Sequence, residues 1–403
     1  MTRVMSLYSG QPSGVDRVCM AYLRALDAAP EPCFGLVRTK LGYVLLDPVG
    51  VHEMLLRLEG ATPWGPPDRL SRVLHKPDSH KYVTEAELRR VCLARCRPLG
   101  LARMLRRHLP DGVVYVNVDH ANATERVLSS VKSIEDARIT LFLHDTIPLD
   151  YPEYQTPESV RKFGKLLDRT RRYADTVLCN SDVSKRDISR HMSPKGNVPP
   201  IHVAHLGVEV NFFPNGNNTT FPKGVERSFF VVLGTIEPRK NIGFLLALWN
   251  EMADEQPIAQ VPHLVICGRR GWMSEQVFSD LDSSPLRGRC LHEFNDLDDE
   301  EIAGLLQSAS GFLFPSHAEG FGLPPVEAAA MGTPVLCNDL PVLREVLGEF
   351  PVYASVTDSY AWKKNILDLA NRDSKRATHE VSDREFLRPP TWEEHFNVVL
   401  KLT

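Results

Sequence analysis

The chain has 403 residues, of which 43% are hydrophobic and 24% are charged, and its formal net charge is −4 at pH 7. These fractions are those of a globular protein with room for two domains, and no window approaches the roughly 18 apolar residues of a membrane-spanning helix. Residues 1–210 hold 30 Lys and Arg against 24 Asp and Glu, a net charge of +6. The rest therefore holds 17 against 27, or −10, which predicts different partners for the two halves.

The first residues and the cysteines indicate the cellular compartment that we expect for this protein. The first residues lack the apolar run of a signal peptide, so the sequence predicts a cytoplasmic protein. The eight cysteines are scattered and several lie within apolar runs, which favours reduced thiols over disulfides or a zinc site.

The N-terminal segment predicts a strand, a glycine loop and a helix in that order. Residues 3–8 alternate as a short strand, residues 9–14 form a flexible loop that ends at Gly14, and helical spacing begins at Val15. The loop at 9–14 is either a binding loop or a tight turn without a binding role.

Residues 33–108 contain two apolar runs, a proline-rich stretch at 61–83 that we expect to be irregular, and one or two arginine-dense helices at 86–108. A basic amphipathic helix is able to lie on an anionic membrane surface. The alternative is a charged face in water above a buried apolar stripe.

Two apolar strands follow, and both end in polar residues. Residues 112–118 precede Asp119 and His120, and residues 138–143 precede His144 and Asp145. In α/β proteins, side chains at the carboxyl ends of parallel strands carry the chemistry. A basic helix at 159–173, a strand at 176–179 and a helix capped by Ser181 complete the first half.

A turn-rich linker at 211–227 precedes the second half, which opens with a strand at 229–233. Gly234 follows, and Arg239 and Lys240 come just before an apolar helix. A glycine loop with adjacent cations at a helix start suits a pyrophosphate. After the next strand, at 263–267, Arg269 is a candidate contact with phosphate or base. Asp298 is more plausible as a helix cap than as a metal ligand.

Residues 311–337 dominate the second half. A strand at 311–314 leads into a loop with two glycines, a helix with prolines in its first turn and a strand at 334–337. A glycine loop at a helix N-terminus binds anions. Glu319 and Glu327 would repel phosphate, so we expect them to face sugar and ribose hydroxyls.

The run Glu319-Gly-Phe-Gly-Leu-Pro-Pro-Val-Glu327 resembles the signature of retaining family 4 glycosyltransferases, the group 1 glycosyl transferases with the GT-B fold. The similarity is clear over 228–346, looser over 112–208 and faint before 112. It implies an α/β protein with two Rossmann-like, doubly wound parallel-sheet domains that face a central cleft.

The resemblance also implies domain boundaries. Residues 1–210 would bind the acceptor, 211–227 would be a linker, and 228–388 would bind the nucleotide sugar. The helix at 389–403 would cross back onto the first domain, with Trp392 as its anchor.

Roles for individual residues follow from the same resemblance. His144 and Asp145 would lie near the reacting sugar, Glu319 would contact sugar hydroxyls, and Arg239 and Lys240 would neutralise the departing diphosphate. Other donor contacts would come from the following residues: Gly14, Gly234, Arg269, Gly320, Phe321, Gly322, Leu323 and Glu327.

The predicted function is therefore retaining, metal-independent hexosyl transfer in polysaccharide biosynthesis, with no cofactor beyond the donor. GDP-mannose is favoured as donor over UDP-hexoses, and a glycan or polyprenyl-diphosphate-linked saccharide is the expected acceptor. The expected place is the cytoplasm, with contact to the cytoplasmic face of the inner membrane through residues 86–108 as an option; no nucleic-acid partner is expected. The alternatives are a GT-B epimerase or hydrolase and a catalytically silent sugar-nucleotide-binding partner of a synthase complex.

Overall fold

The protein is described here by a computed structural model, which covers residues 13–77, 79, 81–209, 225, 228–376 and 386–402. The predicted strand at 3–8 and most of the predicted linker at 211–227 lie outside these residues. Over the described part, the chain forms two parallel sheets, each with helices packed against it, and one small antiparallel sheet.

The strands match most of the apolar runs in the sequence, because buried parallel strands are nearly continuous in apolar residues. They are β1 (Gly35–Thr39), β2 (Gly42–Leu46), β3 (Ala94–Cys96), β4 (Val114–Asn117), β5 (Arg138–Leu143), β6 (Thr176–Cys179), β7 (Ile201–Val203), β8 (Phe229–Leu233), β9 (His263–Cys267), β10 (Leu291–Phe294), β11 (Gly311–Phe314), β12 (Val335–Cys337) and β13 (Val352–Tyr353).

The helices of the first half are α1 (Gly14–Asp27), α2 (Pro48–Leu58), α3 (Arg69–Leu74), α4 (Lys81–Val91), α5 (Leu101–His108), α6 (Glu125–Val131), α7 (Ile147–Asp150), α8 (Pro157–Tyr173) and α9 (Asp182–Met192). Those of the second half are α10 (Ile242–Glu255), α11 (Glu275–Ser283), α12 (Asp299–Ser308), α13 (Leu323–Ala330), α14 (Pro341–Leu347), α15 (Ser359–Arg376) and α16 (Trp392–Val399).

The first half differs from the sequence prediction between residues 33 and 108. The segment 86–108 is not continuous helix, because β3 interrupts it and pairs antiparallel with β2, which also pairs with β1. Within the stretch that we expected to be irregular, residues 69–74 form α3, whose first turn is capped by Asp68. The parallel sheet of this half has the order β4-β5-β6-β7, so β5 and β6 are its central strands.

The second half contains one six-stranded parallel sheet with the order β10-β9-β8-β11-β12-β13. Numbered within this half, that is 3-2-1-4-5-6, the order of a doubly wound dinucleotide-binding fold. β8 and β11 run parallel, but successive strands are added on one side of β8 and then, from β11 onward, on its other side, so a crevice opens where the loops at their carboxyl ends diverge. The two stretches predicted to hold the donor follow these two strands.

The C-terminal helix α16 packs against the first half of the chain. Its His395 bonds the Tyr22 hydroxyl at 2.8 Å and the His205 carbonyl at 2.9 Å. Trp392 lies against Gly207, where a Cβ would approach the indole to 2.5 Å, so a larger residue at 207 would displace the helix.

Three further features bear on the sequence expectations. In the part of the chain that the structure describes, no helix combines the length and apolarity needed to cross a membrane. All eight cysteines fall within the described ranges and are free thiols. Asp298 caps α12 through a reciprocal bond with Glu301, which confirms its assignment as a capping residue.

Candidate functional site

The loop after β8 places a lysine ammonium against the backbone of the switch-point crevice. Gly234 has φ 138°, a conformation that favours glycine, and a Cβ there would lie 3.4 Å from the Lys240 side chain. The Lys240 ammonium also lies 4.6 Å from the centre of the Phe314 ring, a cation–π distance. Lys240 therefore lies beside Gly234 and the Phe314 ring.

The loop after β11 leads into helix α13 with the geometry of an anion site. Gly322 is the N-cap with φ 90°, and a Cβ at this position would come within 2.7 Å of Leu343. Since Pro324 and Pro325 carry no N–H, the donors that point out of this helix start are those of Gly322 and Leu323. The predicted strand, loop and proline-initiated helix are confirmed.

Glu319 joins the two loops through a buried ion cluster. Its Oε1 accepts from Lys240 Nζ and Arg239 Nη1, each at 2.7 Å. Burial by itself would raise the pKa of Glu319, but the two cations outweigh it and lower the pKa to about 2. Burial lowers the pKa of Lys240 despite Glu319, whereas for Arg239 the carboxylates of Glu319 and Glu237 overcome burial and raise the pKa. The cluster therefore holds two cationic groups in fixed positions beside α13, paired with the carboxylates of Glu319 and Glu237.

The His-Asp pair after β5 meets this cluster from the other half of the chain. A Cβ on Gly320 would lie 2.7 Å from the His144 carbonyl oxygen and 3.0 Å from Asp145 Cβ, so the two loops are in direct contact. Burial raises the pKa of Asp145, and the nearby charge of Arg239 opposes that rise. His144 donates its Nε2–H to the Val118 carbonyl at 2.8 Å, which fixes the ring. Asp145 thus lies near Arg239 and Glu319, while His144 touches the Glu319 loop through its backbone carbonyl.

Helix α9 closes the same junction. The Ser181 hydroxyl, which caps α9, also donates to the Gly320 carbonyl at 3.1 Å. Ser184 donates to the His144 carbonyl at 3.2 Å. The start of α9 therefore connects the His-Asp loop to the Glu319 loop, and the cleft is closed at this point.

Glu327 faces a partner that the sequence did not predict. Its Oε1 accepts from Arg17 Nη1 at 3.0 Å, and Arg17 Nη2 donates to Asp299 Oδ1 at 2.5 Å. Burial raises the pKa of Glu327, with Arg17 acting against that rise. Gly14 lies at the start of the same helix α1, where a Cβ would be 3.4 Å from Leu323.

The remaining predicted residues lie farther from the ion cluster or act differently. The Arg269 side chain is exposed, while its carbonyl accepts from the Ile236 N–H at 2.9 Å and so ties the loop after β9 to the loop after β8. Phe321 is buried in the core beside His205, so only its backbone faces a ligand.

Three polar residues at the junction were not selected from the sequence: Glu237, Asp299 and Ser184. Glu237 stands directly before the predicted cationic pair and bonds Arg239 Nη2 at 2.6 Å. Its position next to the cationic pair could therefore have identified Glu237 as a partner of Arg239 from the sequence. Asp299 and Ser184 become site residues only through long-range contacts, Asp299 with Arg17 and Ser184 with the His144 and Gly320 carbonyls.

Two cavities flank the junction. The first, of about 370 Å³, contains Asp145 and Glu319 in its wall, and the second, of about 290 Å³, contains Arg17, Leu323 and Glu327. Across the described residues, no group of three or more His, Cys, Asp or Glu side chains could hold a metal ion.

Comparison with known families matches residues 218–380 to the model described as glycosyl transferases group 1. Among curated relatives, the O-antigen chain mannosyltransferase B of Escherichia coli is 30% identical over 245 residues, which cover 59% of this chain and 62% of that protein. The serotype-specific mannosyltransferase WbdA of Escherichia coli is 28% identical over 225 residues, which cover 53% of this chain and 27% of that protein. The chain thus spans less than two thirds of either relative.

Among solved structures, Anabaena HepE in complex with UDP-glucose superposes with a TM-score of 0.60 over 98% of this chain and 97% of that one, at 15% identity. Trehalose-6-phosphate synthase OtsA superposes with a TM-score of 0.55 over 98% of this chain and 92% of that one, at 13% identity. At such identities the superpositions establish a shared two-domain fold.

Proposed function

We propose that this chain, a group 1 glycosyltransferase with the GT-B fold, transfers a hexose from a nucleotide sugar to a glycan or lipid-linked saccharide in polysaccharide biosynthesis. Both curated relatives are named as mannosyltransferases, which supports mannose, and therefore GDP-mannose, as the favoured donor over UDP-hexoses.

The observation that carries this proposal is the Arg239–Lys240–Glu319 cluster at the sheet's switch point. Two partly buried cations lie at the crevice where doubly wound folds bind nucleotides, beside the start of helix α13. As a hexose–phosphate bond breaks, negative charge grows on the departing diphosphate, and preorganised cations and N–H groups stabilise it. Glu319 fixes both cations in place before the donor arrives.

We infer that the reaction needs no metal ion, because Arg239, Lys240 and the α13 start supply the positive charge that a divalent cation contributes in other transferases. Because the Glu319 carboxylate neutralises one of the two cations, the cluster has a net charge of about +1. The net charge is zero when Glu237, which pairs with Arg239, is counted as well. The helix N-terminus then adds its own partial positive charge.

Glu327 is assigned to the ribose hydroxyls and Glu319 to hydroxyls of the donor sugar. We infer retention of anomeric configuration. The acceptor hydroxyl would attack from the face that the diphosphate leaves. The new bond joins the acceptor oxygen to the anomeric carbon, the bond from that carbon to the diphosphate breaks, and the diphosphate oxygen takes the acceptor's proton. Glu319, with its pKa near 2, is a poor base and a poor nucleophile for this step.

A peripheral contact with the cytoplasmic face of an anionic membrane is supported by the segment that follows α4. Leu99 is 92% exposed, and exposed arginines surround it in sequence. They are Arg95, Arg97, Arg103, Arg106 and Arg107. Arg89 and Arg90 are bound to Asp68 and Glu87 and do not contribute. Leu99→Ser should reduce flotation with anionic vesicles, while zwitterionic vesicles should bind neither variant nor parent.

The donor assignment is tested by binding and slow hydrolysis of GDP-mannose, UDP-glucose, UDP-N-acetylglucosamine, UDP-galactose and dTDP-rhamnose, with and without EDTA. We expect saturable binding of GDP-mannose and hydrolysis that EDTA does not change. Failure of a folded sample to bind any of the five would refute the assigned site, and loss of hydrolysis in EDTA would refute metal independence.

A further inference from the structure

The first cavity, of about 370 Å³, lies beside the ion cluster, and the residues that line it come from outside α13. Its size is within the range of about 300–1,000 Å³ that small-molecule sites occupy. Nine of its fourteen lining residues belong to the first half of the chain, from residues 145–151 and from helix α9. The other five come from the Glu319 loop and the start of α14. The cavity thus touches the reacting centre while being built chiefly by the half opposite the nucleotide crevice.

An aromatic stack borders this cavity and crosses the cleft. Tyr151 and Tyr154 are stacked with ring centres 6.2 Å apart and planes at 14°. Tyr154 in turn stacks on His317, two residues before Glu319, at 5.1 Å and 12°. Tyr151 is the outer ring of the three, it is 38% exposed, and it lines the cavity. The inner rings hold the Tyr151 ring in place, so its outer face is a rigid apolar platform.

The polar wall of the cavity is equally fixed. Asp150 accepts from the Thr146 hydroxyl at 2.5 Å, from Arg190 at 2.8 Å and from His191 at 2.6 Å. Arg190 also binds Asp187 at 2.9 Å. These bonds lock α7 to α9 and orient the wall on both sides of Tyr151.

Two groups of the wall remain open to a ligand. Arg186 is exposed, lines the cavity and forms no ion pair within the described ranges. The Asp187 carboxylate has one oxygen engaged by Arg190, and a carboxylate accepts several hydrogen bonds. The Arg186 guanidinium donates hydrogen bonds and the Asp187 carboxylate, on the next residue of α9, accepts them. The pair therefore suits two adjacent sugar hydroxyls, because each hydroxyl both donates and accepts.

We propose that this cavity is the subsite for the accepting sugar, and that it takes an uncharged hexopyranose. The C–H face of the ring would stack on Tyr151, and ring hydroxyls would bond Arg186 and Asp187. Asp145, Asp187 and Glu319 in the wall disfavour a phosphate or carboxylate at this position. The proposal rests on the proposed hexosyl transfer and specifies its acceptor: any lipid diphosphate must lie beyond the sugar that reacts.

The first experiment uses methyl α-mannopyranoside, methyl α-glucopyranoside and methyl β-galactopyranoside as acceptor probes for the full chain. Saturation-transfer NMR reports binding, and product formation from the preferred donor reports KM. We expect at least one probe to bind and to be glycosylated. If the parent protein hydrolyses a donor but none of the three probes shows saturation transfer, the uncharged-hexose subsite is wrong while hexosyl transfer stands. If no donor is bound or hydrolysed, both proposals fail together.

Variants then locate the subsite. Tyr151→Ala should raise the acceptor KM roughly three- to tenfold, as expected for the loss of one aromatic face, and Tyr151→Phe should restore it. Arg186→Ala should also raise the acceptor KM. Donor KM and acceptor-independent donor hydrolysis should stay at parental values in all three. Tyr360→Ala, which removes a 71% exposed tyrosine on α15, is the matched control.

Two outcomes would overturn the assignment. Unchanged acceptor KM in both Tyr151→Ala and Arg186→Ala would place the acceptor elsewhere. A parallel rise in donor KM and donor hydrolysis KM would mean that the cavity receives the donor sugar instead.

Discussion

Arg17 of helix α1 binds the carboxylate of Glu327 in helix α13, with Nη1 and Oε1 3.0 Å apart, although 310 residues separate them. Glu327 is the residue that the sequence assigns to the ribose of the donor. Arg17 therefore occupies the hydrogen-bonding site that we propose for ribose, and it does so from the opposite half of the chain. Asp299 accepts from Nη2 of the same guanidinium at 2.5 Å, so Arg17 joins the two carboxylates.

The first prediction concerns Glu327 itself. Glu327→Gln should weaken GDP binding about 10- to 100-fold, since a hydrogen bond to a charged group contributes roughly 1.5–3 kcal/mol. Isothermal titration calorimetry with GDP measures the change. Glu300→Gln, an exposed carboxylate on the neighbouring helix α12, is the matched control and should bind like the parent. GDP affinity that survives in Glu327→Gln would remove this residue from the nucleotide site.

The second prediction separates two roles for Arg17. If ribose must displace the guanidinium, Arg17→Ala leaves a buried carboxylate that ribose hydroxyls can satisfy, and GDP should bind a few-fold more tightly, on the order of 1 kcal/mol. Calorimetry with GDP measures this change. Arg103→Ala, which removes an exposed arginine on α5, is the control for the loss of one positive charge. Weaker binding would show instead that Arg17 orients Glu327 for the donor.

The third prediction assigns Lys240 to the departing diphosphate. Lys240→Met keeps an unbranched side chain of similar length at this position but removes the ammonium that lies over Phe314, and should lower kcat by roughly 10²–10³, as for loss of one group that stabilises developing charge. Donor KM should change much less, because Arg239 still pairs with Glu319 and keeps a cation in the proposed diphosphate site. Lys165→Met on the exposed face of α8 should leave both constants unchanged. An equal loss in donor binding and in turnover would contradict this division.

The second half of the chain could be predicted in detail because its signals are local. The apolar run at 311–314, the glycines at 320 and 322 and the two prolines each fix a backbone conformation within a few residues. Together they predict β11, its loop and α13. The cationic pair after β8 was predicted for the same reason, and the strand order brings it beside Glu319.

The first half was harder to predict because its structure depends on long-range pairing. The arginine-dense segment predicts one or two helices, but residues 94–96 join β2 as a strand, with Tyr43 opposite Cys96. Tertiary pairing of this kind overrides local preference. Arg17–Glu327 and Ser181–Gly320 are contacts across the cleft, and nothing in the spacing of either residue indicates its partner.

The fourth prediction concerns a second contact between the halves. Glu345 of α14 accepts from the N–H groups of Asp182 and Val183 at the start of α9, at 2.7 and 3.1 Å, and from His205 Nε2 at 2.9 Å. The hydrogen bond to Glu345 raises the pKa of His205 above 6.5, despite partial burial, and nearby Asp182 acts in the same direction. Burial alone would raise the pKa of Glu345, but His205 and the two N–H groups lower it below 4.5.

These two shifts define a pH window. The raised pKa of His205 adds stability that is complete below pH 6.5 and is lost as pH rises through the folded value. The lowered pKa of Glu345 adds stability that is present above pH 4.5 and is lost at lower pH. The contact between the halves should therefore be strongest between about pH 4.5 and 6.5 and should weaken toward alkaline pH.

Thermal unfolding of the parent and of His205→Gln at pH 6 and pH 8.5 measures this effect. We expect the Tm difference between the two proteins to be larger at pH 6, because only the parent can carry the imidazolium. His52→Gln removes a histidine that also pairs with a carboxylate, Asp27, but within the first half, so it controls for histidine titration in general. Small-angle scattering of the same samples should show the parent slightly more extended at pH 8.5 than at pH 6, as the His205–Glu345 bond loses its charge. A Tm difference that does not change with pH would mean that Glu345 holds α9 only by accepting from the N–H groups of Asp182 and Val183.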